Sequence, residues 1–297
     1  MKPDPASLHI WPQCRACILG MIRDSLSMSQ IEDNGLKQKL HSIAESVFER
    51  SYQQHWSSPV TANKILKEFK RLSGVTDPYA AFKQKELAQA RKIFSETKLH
   101  IDQNLKSRVT LSVLGNSLDF FTNPENVLQS LPQALKNGIS FYYDEIDQLE
   151  RLLFSKPKLV LFFTDNTGEA FFDIPLFHFI DSHAERTVLV VKGGPSLNDL
   201  SCREIKNDGL ESYFGDIADT GTSGVGIDWD RTSKAFKNLV QSADLIISKG
   251  MANFETVYPR SLSAHVFFLL KAKCDPIQNY LGAPTAGYCA IWKEGIR

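Results

Sequence analysis

Apolar positions along the chain follow two rhythms. Up to about residue 152 they recur at three- and four-residue spacing, as in Ile65, Phe69 and Leu72. That spacing lines one face of a helix. Helices are predicted from Leu36 to Arg50, Val60 to Leu72 and Ala80 to Glu96. The second is punctuated by Pro59 at its start and Gly74 just past its end, the usual asymmetry of helix termini. From about residue 157 short continuous apolar runs replace the helical spacing: Leu159 to Phe163, Thr187 to Val191, Asp244 to Ile247, Val266 to Leu270 and Tyr288 to Trp292. Unbroken apolar runs fit strands covered on both faces, as in a parallel sheet. Helical segments from Ala170 to His183, Ser201 to Asp208 and Arg231 to Gln241 alternate with them. The pattern predicts a three-layer α/β/α, Rossmann-like domain with a mostly parallel sheet over 153–297. An all-helical N-terminal domain over 1–152 precedes it.

Composition narrows the partners. Lys plus Arg and Asp plus Glu both total 34. With no basic excess, nucleic acid and membrane surfaces are not the expected partners. No apolar run reaches the ~18 residues of a membrane span, and the N-terminus MKPDPASLHIWPQC lacks the layout of a signal peptide. A cytoplasmic location is expected. The five cysteines are odd in number and irregularly spaced, so they form no disulfide framework.

Ligands of open parallel sheets bind at the carboxyl ends of strands. The first long strand ends in Thr164-Asp165-Asn166-Thr167-Gly168-Glu169, and the second in Lys192-Gly193-Gly194-Pro195, with Asn198 and Asp199 close behind. A later one ends in Ser248-Lys249-Gly250, followed by Met251, Ala252, Asn253, Phe254 and Glu255. Asp165, Asn166 and Asp199 offer hard oxygen donors suited to Mg²⁺ or Mn²⁺. No His or Cys lies beside them, which argues against a zinc site. Lys249 is a compact cation suited to a phosphate. Gly193 and Gly250 allow backbone N–H groups to approach an anion. Together these features suit phosphoryl transfer to water.

Each feature also has a plainer reading. Asp165 to Gly168 makes an ordinary turn and cap, Asn198-Asp199 another cap, and Lys249-Gly250 a solvated turn. Gly115-Asn116-Ser117-Leu118-Asp119 breaks a helical stretch, as a capped break or as a loop bringing Asn116 and Asp119 toward the cleft. Cys14 and Cys17 form a CxxC pair read as buried reduced thiols. Glu255 reads as an acid in a helix's first turn. The glycine-rich run 219–226 is expected to be a mobile loop over the cleft.

In combination the motifs are more specific. The chain resembles the damage-control phosphatases, formerly a domain of unknown function numbered 89, and most of all their stand-alone microbial branch. The likeness rests on Cys14-x-x-Cys17, Gly115-Asn116 with Asp119, Asp165-Asn166 with Gly168-Glu169, Asn198-Asp199, and Lys249-Gly250 with Ala252 to Glu255. The resemblance implies a metal-dependent phosphatase acting on small phosphorylated metabolites, such as sugar phosphates or damaged phosphometabolites. It places the metal (Mg²⁺, Mn²⁺, Co²⁺ or Ni²⁺) on Asp165, Asn166 and Asp199, and the phosphate on Lys249. The expected chemistry is attack by metal-activated water, with Asn116, Asp119, Gly193, Asn198, Gly250 and Asn253 contacting substrate.

Two alternatives remain from the sequence. A haloacid dehalogenase-type enzyme would also place Asp165 after the first strand, as a nucleophile. It would need a second acid where Thr167 stands. An adenosyl-methionine-dependent carboxyl methyltransferase or a non-enzymatic small-molecule binding protein is the other; the glycines follow the second strand rather than the first.

Overall fold

The computed structural model describes residues 8–97, 103–115, 131, 133–284 and 286–296. Five helices come first: α1 (Cys14–Met28), α2 (Asn34–Gln53), α3 (Ser58–Ser73), α4 (Ala80–Thr97) and α5 (Leu105–Gly115). Their ends follow local chemistry. Asp33 caps α2 by accepting the Gly35 and Leu36 N–H groups, and α3 has Pro59 in its first turn and Gly74 at φ +72° after its last. The left-handed region is open to glycine at little cost.

Seven strands then share one sheet: β1 (Phe141–Asp144), β2 (Val160–Phe163), β3 (Thr187–Val191), β4 (Ile217–Asp219), β5 (Leu245–Lys249), β6 (His265–Lys271) and β7 (Tyr288–Lys293). Their order is β1-β7-β6-β5-β2-β3-β4. All pairs are parallel except β6 with β7. The intervening helices are α6 (Ile146–Phe154), α7 (Ala170–Ser182), α8 (Cys202–Asn207), α9 (Glu211–Phe214), α10 (Lys234–Ser242), α11 (Met251–Val257) and α12 (Asp275–Leu281). No helix among the described residues is long and apolar enough to cross a membrane.

The expected three-layer architecture is what forms. Alternate residues of β2 face opposite cores: Val160 and Phe162 pack with α4, α5, α6 and α7, and Leu161 and Phe163 with α10, α11 and α12. Helices α1, α2 and α3 bury a third core of their own. The expected boundary at 152/153 falls inside α6. Helices α4 and α5 and strand β1, from before it, pack on or extend the sheet after it.

One buried ion cluster joins the two parts. Lys83 on α4, fully buried, lies 3.0 Å from Asp77 and 2.8 Å from Glu204 on α8. Arg203 reaches Asp77 at 3.3 Å. The other Glu204 oxygen accepts the Ser201 hydroxyl and N–H at the start of α8. Glu255 lies late in α11 rather than in its first turn. Its carboxylate accepts the Ser58 N–H and so caps α3 from across the fold.

Candidate active site

The carboxyl ends of β2 and β3 are sewn together by backbone bonds. Leu200 N–H donates to the Asp165 carbonyl at 2.9 Å, and Thr167 N–H to the Asn198 carbonyl at 2.8 Å. Asn166 and Asp199 face each other as a single antiparallel bridge. Lys192 N–H donates to the Leu200 carbonyl, and Cys202 N–H returns to the Lys192 carbonyl, both at 3.0 Å. Thus the sequence-predicted trio Asp165, Asn166 and Asp199 meets at one edge, though 34 residues of chain separate Asp165 from Asp199.

Gly250 completes the fit. Its φ is +80°, and a Cβ there would lie 2.0 Å from Asp165 Oδ2. Both the backbone angle and the Asp165 carboxylate require glycine.

Side chains extend the network. The Asn166 amide donates to Glu169 Oε1 at 2.6 Å and to Asp165 Oδ2 at 3.3 Å. Lys249 Nζ bonds Asp173 at 2.5 Å, the other oxygen of Glu169 at 3.0 Å and the Ser112 carbonyl at 3.1 Å. Ser112 also donates to Asp173 at 2.6 Å. Lys192 lies 3.4 Å from Asp199 and donates to the Gly226 carbonyl at 2.5 Å.

Carboxylates outnumber the cations that reach them. Removal from bulk water holds the Asp165 carboxyl well above the usual range, and Glu169 and Asp199 push it further; Lys273 and Lys192 oppose this. Asp199 is raised by burial, partly offset by Lys192. Asp173 is raised to about 6, its burial outweighing the attraction of Lys249. For Lys249 burial acts downward, but Asp173 and Glu169 win and keep it charged.

Several expectations need correction. Lys249 is fully buried and its ammonium is already held by two carboxylates and a carbonyl, so in this arrangement it does not present itself to a phosphate. The Gly193 N–H is spent on the Thr222 carbonyl and the Gly250 N–H on the Leu269 carbonyl, both at 2.9 Å. These glycines permit close approach rather than cradling an anion; a Cβ on Gly193 would strike Asp219 and the Gly221–Thr222 backbone. Asn253 is buried and donates to the Thr164 and Lys249 carbonyls, tying β2 to β5. The 219–226 run is not a loose lid: Asn63 on α3 clamps Val225 through both its N–H and its carbonyl. Cys14 is half-buried and Cys17 exposed, and both are free thiols, so the expected burial is absent. Asn116 and Asp119 lie outside the described residues.

Two residues escape the sequence reading. Glu86 on α4 is 6% exposed and accepts the Gly168 N–H and the Asn198 amide. Its Oε2 has no hydrogen-bond partner among the described residues. Burial and Glu169 raise its carboxyl to about 8. Lys273, just beyond β6, is exposed and forms no ion pair among the described residues, yet its charge acts on both Asp165 and Glu86. Glu86 sits in an ordinary helical run, and Lys273 belongs to no motif, so only the fold exposes them.

No three His, Cys, Asp or Glu side chains among the described residues form a cation cage by themselves. The donor set is two carboxylates and one amide. The amide nitrogen of Asn166 is spent on carboxylates, which leaves its oxygen as the donor for a cation. That set fits a hard divalent ion taking its other ligands from water or substrate.

The sequence profile of the damage-control phosphatase ARMT1-like domain matches residues 10–288. A damage-control phosphatase of Pyrococcus horikoshii is 28% identical over 275 residues, covering 92% of this chain and 94% of the relative. One of Archaeoglobus fulgidus is 28% identical over 291 residues, covering 93% and 96%. The crystal structure of a DUF89 family protein from P. horikoshii matches with a TM-score of 0.86 at 27% identity, over 95% of this chain and 98% of that one.

Proposed function

The chain belongs to the damage-control phosphatase ARMT1-like family, and from that premise we propose that it is a metal-dependent phosphatase for small phosphate monoesters, acting at the carboxyl edge of β2, β3 and β5. The observation that carries the metal dependence is the meeting of Asp165, Asn166 and Asp199, in a setting where carboxylates repel one another. A divalent cation held there (Mg²⁺, Mn²⁺, Co²⁺ or Ni²⁺) would supply charge to phosphoryl oxygens and acidify a water.

The chain's own groups set the geometry. Asp165 and Asp199 would hold the cation, and Asn166, whose amide nitrogen is bound by Asp165 and Glu169, would offer it the amide oxygen. Lys249 fixes Glu169 and Asp173 and is a positioning residue. Lys273, exposed and within electrostatic reach of Asp165, takes the phosphoryl contact expected of Lys249. A lysine grips phosphate as a point charge and needs no fixed fork. The dehalogenase-type reading fares worse: the Thr167 hydroxyl, where that chemistry needs an acid, is buried and donates to the Asn198 carbonyl at 2.8 Å.

A panel of sugar phosphates and other phosphometabolites, assayed with each of the four cations and with a chelator, tests this reading. Phosphate release should require a cation and stop on chelation. Turnover that persists in chelator, or a phosphoryl group trapped on Asp165, overturns it.

A further inference from the structure

Behind the loop that carries Asn198 and Asp199 lies a second polar region. The segment 220–226 is pinned there from three sides. Asn63 holds Val225 at 2.7 and 3.2 Å, Lys192 holds the Gly226 carbonyl, and Gly193 holds the Thr222 carbonyl. Between this segment and α3 opens a cleft of about 340 Å³. Lys67, Lys70 and Arg231 line it with Thr222 and Ser223, and no Asp or Glu among the described residues does. It adjoins a larger cavity of about 540 Å³, with which it shares Asn63, Lys67 and Arg231. None of Asp165, Asn166, Asp199 and Lys249 lines either one.

Two of its three cations are poorly neutralised. Among the described residues Lys70 bonds only a carbonyl, that of Pro195, at 2.7 Å. Asp77, the one carboxylate acting on it, is already shared by Lys83 and Arg203. Burial works against the Lys70 charge, and Lys83 and Arg231 add to the opposition. Lys67 forms no ion pair among the described residues; Arg231 is paired with Asp228 through Nε at 2.7 Å and through a second guanidinium nitrogen, and Asp228 lines the adjoining cavity. Two lysines without a carboxylate of their own, beside the Arg231 guanidinium and around a preformed concavity, favour an oxyanion, which gives Lys67 and Lys70 a charge-assisted partner.

We propose that this cleft is an anion site, distinct from the carboxylate edge, that takes the phosphoryl group of inorganic phosphate or of a small phosphate ester whose body extends into the larger cavity. The Lys70–Pro195 bond links it to the loop bearing Asp199. The site does not depend on the phosphatase reading.

Calorimetric titration of the full chain in chelator, with inorganic phosphate and separately with glycerol 3-phosphate, tests it. Chelation removes any cation-borne phosphate binding at Asp165 and Asp199. Wild type should bind phosphate saturably. Lys67→Glu, exposed and safe for folding, should bind about tenfold or more weakly. Lys39→Glu, a charge-matched change on exposed α2, should stay within about twofold. Tighter binding of the ester than of phosphate assigns the site to an organic phosphate; equal binding assigns it to phosphate itself. No saturable binding by wild type, an unchanged Lys67→Glu, or equal weakening by Lys39→Glu overturns the proposal.

Discussion

Two fully buried lysines, each between two carboxylates, sit in different parts of this molecule and differ in what surrounds them. Lys83 meets Asp77 and Glu204, and Arg203 adds a second positive charge, so two cations face two anions. Ser201 uses the remaining Glu204 oxygen. That cluster is closed. Lys249 meets Glu169 and Asp173, but Asp165 and Asp199 crowd the same edge with only Lys192 and the exposed Lys273 to offset them. That cluster is short of positive charge. The same lysine-dicarboxylate unit thus serves as a bolt where charges balance and, in the function proposed above, as part of a receptor where they do not.

The sharpest break between the two comes from activity. Asp165→Ala should lower cation-dependent phosphate release about a thousandfold or more, the scale of losing a group that organises transition-state charge, while circular dichroism shows an intact fold. Lys83→Met should do the reverse. It strands Asp77 and Glu204 and should cost about 3–5 kcal/mol in urea unfolding, with turnover per folded molecule little changed. Equal effects of the two substitutions on turnover would erase the distinction.

Cation binding comes next in size. If the edge of β2 and β3 lacks positive charge, a divalent ion at a hundred times its dissociation constant should stabilise wild type by about 2.7 kcal/mol. Asp199→Ala should remove that gain and Lys83→Met should keep it; differential scanning calorimetry reads both. An effect that is smaller per pH unit tests the excess of negative charge directly. Glu86 is raised from 4.5 to about 8, so between those values the folded chain holds a proton that the unfolded chain has released. Stability from this group is therefore greatest below about pH 4.5 and falls as pH rises toward 8, by at most about 1.4 kcal/mol per pH unit. In cation-free buffer, Glu86→Gln should flatten that slope; an unchanged slope would place the titration elsewhere.

The long elements were legible because one signal dominated each. β2, β3 and β5 are buried along their whole length, so apolar runs announced them. β1 and β4 were not. Phe141–Asp144 alternates half-buried and exposed positions at the sheet's edge, and Ile217–Asp219 spans three half-buried residues. The meeting of Asp165, Asn166 and Asp199 was legible as oxygen donors at strand ends. Their companions were not, because Glu86 reaches the site from α4 and Lys273 from beyond β6. The glycines misled for a related reason: sequence shows that an amide is approachable, not that Thr222 and Leu269 already occupy it.

The bonds that sew 165–167 to 198–200 bear on which genetic changes this protein can absorb. Lys192 is held to Leu200 and Cys202 on one side, and Asn198 to Thr167 on the other. The seven residues 193–199 therefore span a gap fixed at both ends. Outside Gly193 and Gly194, where a Cβ would crowd 219–223, replacing a side chain there leaves the span intact. Adding or deleting one residue shifts which side chain faces Asn166, and would put Asn198 or Leu200 where Asp199 belongs. Surface loops commonly tolerate changes of length better than the elements they join; in this one, length is guarded as closely as the residues at its glycines and at Asp199.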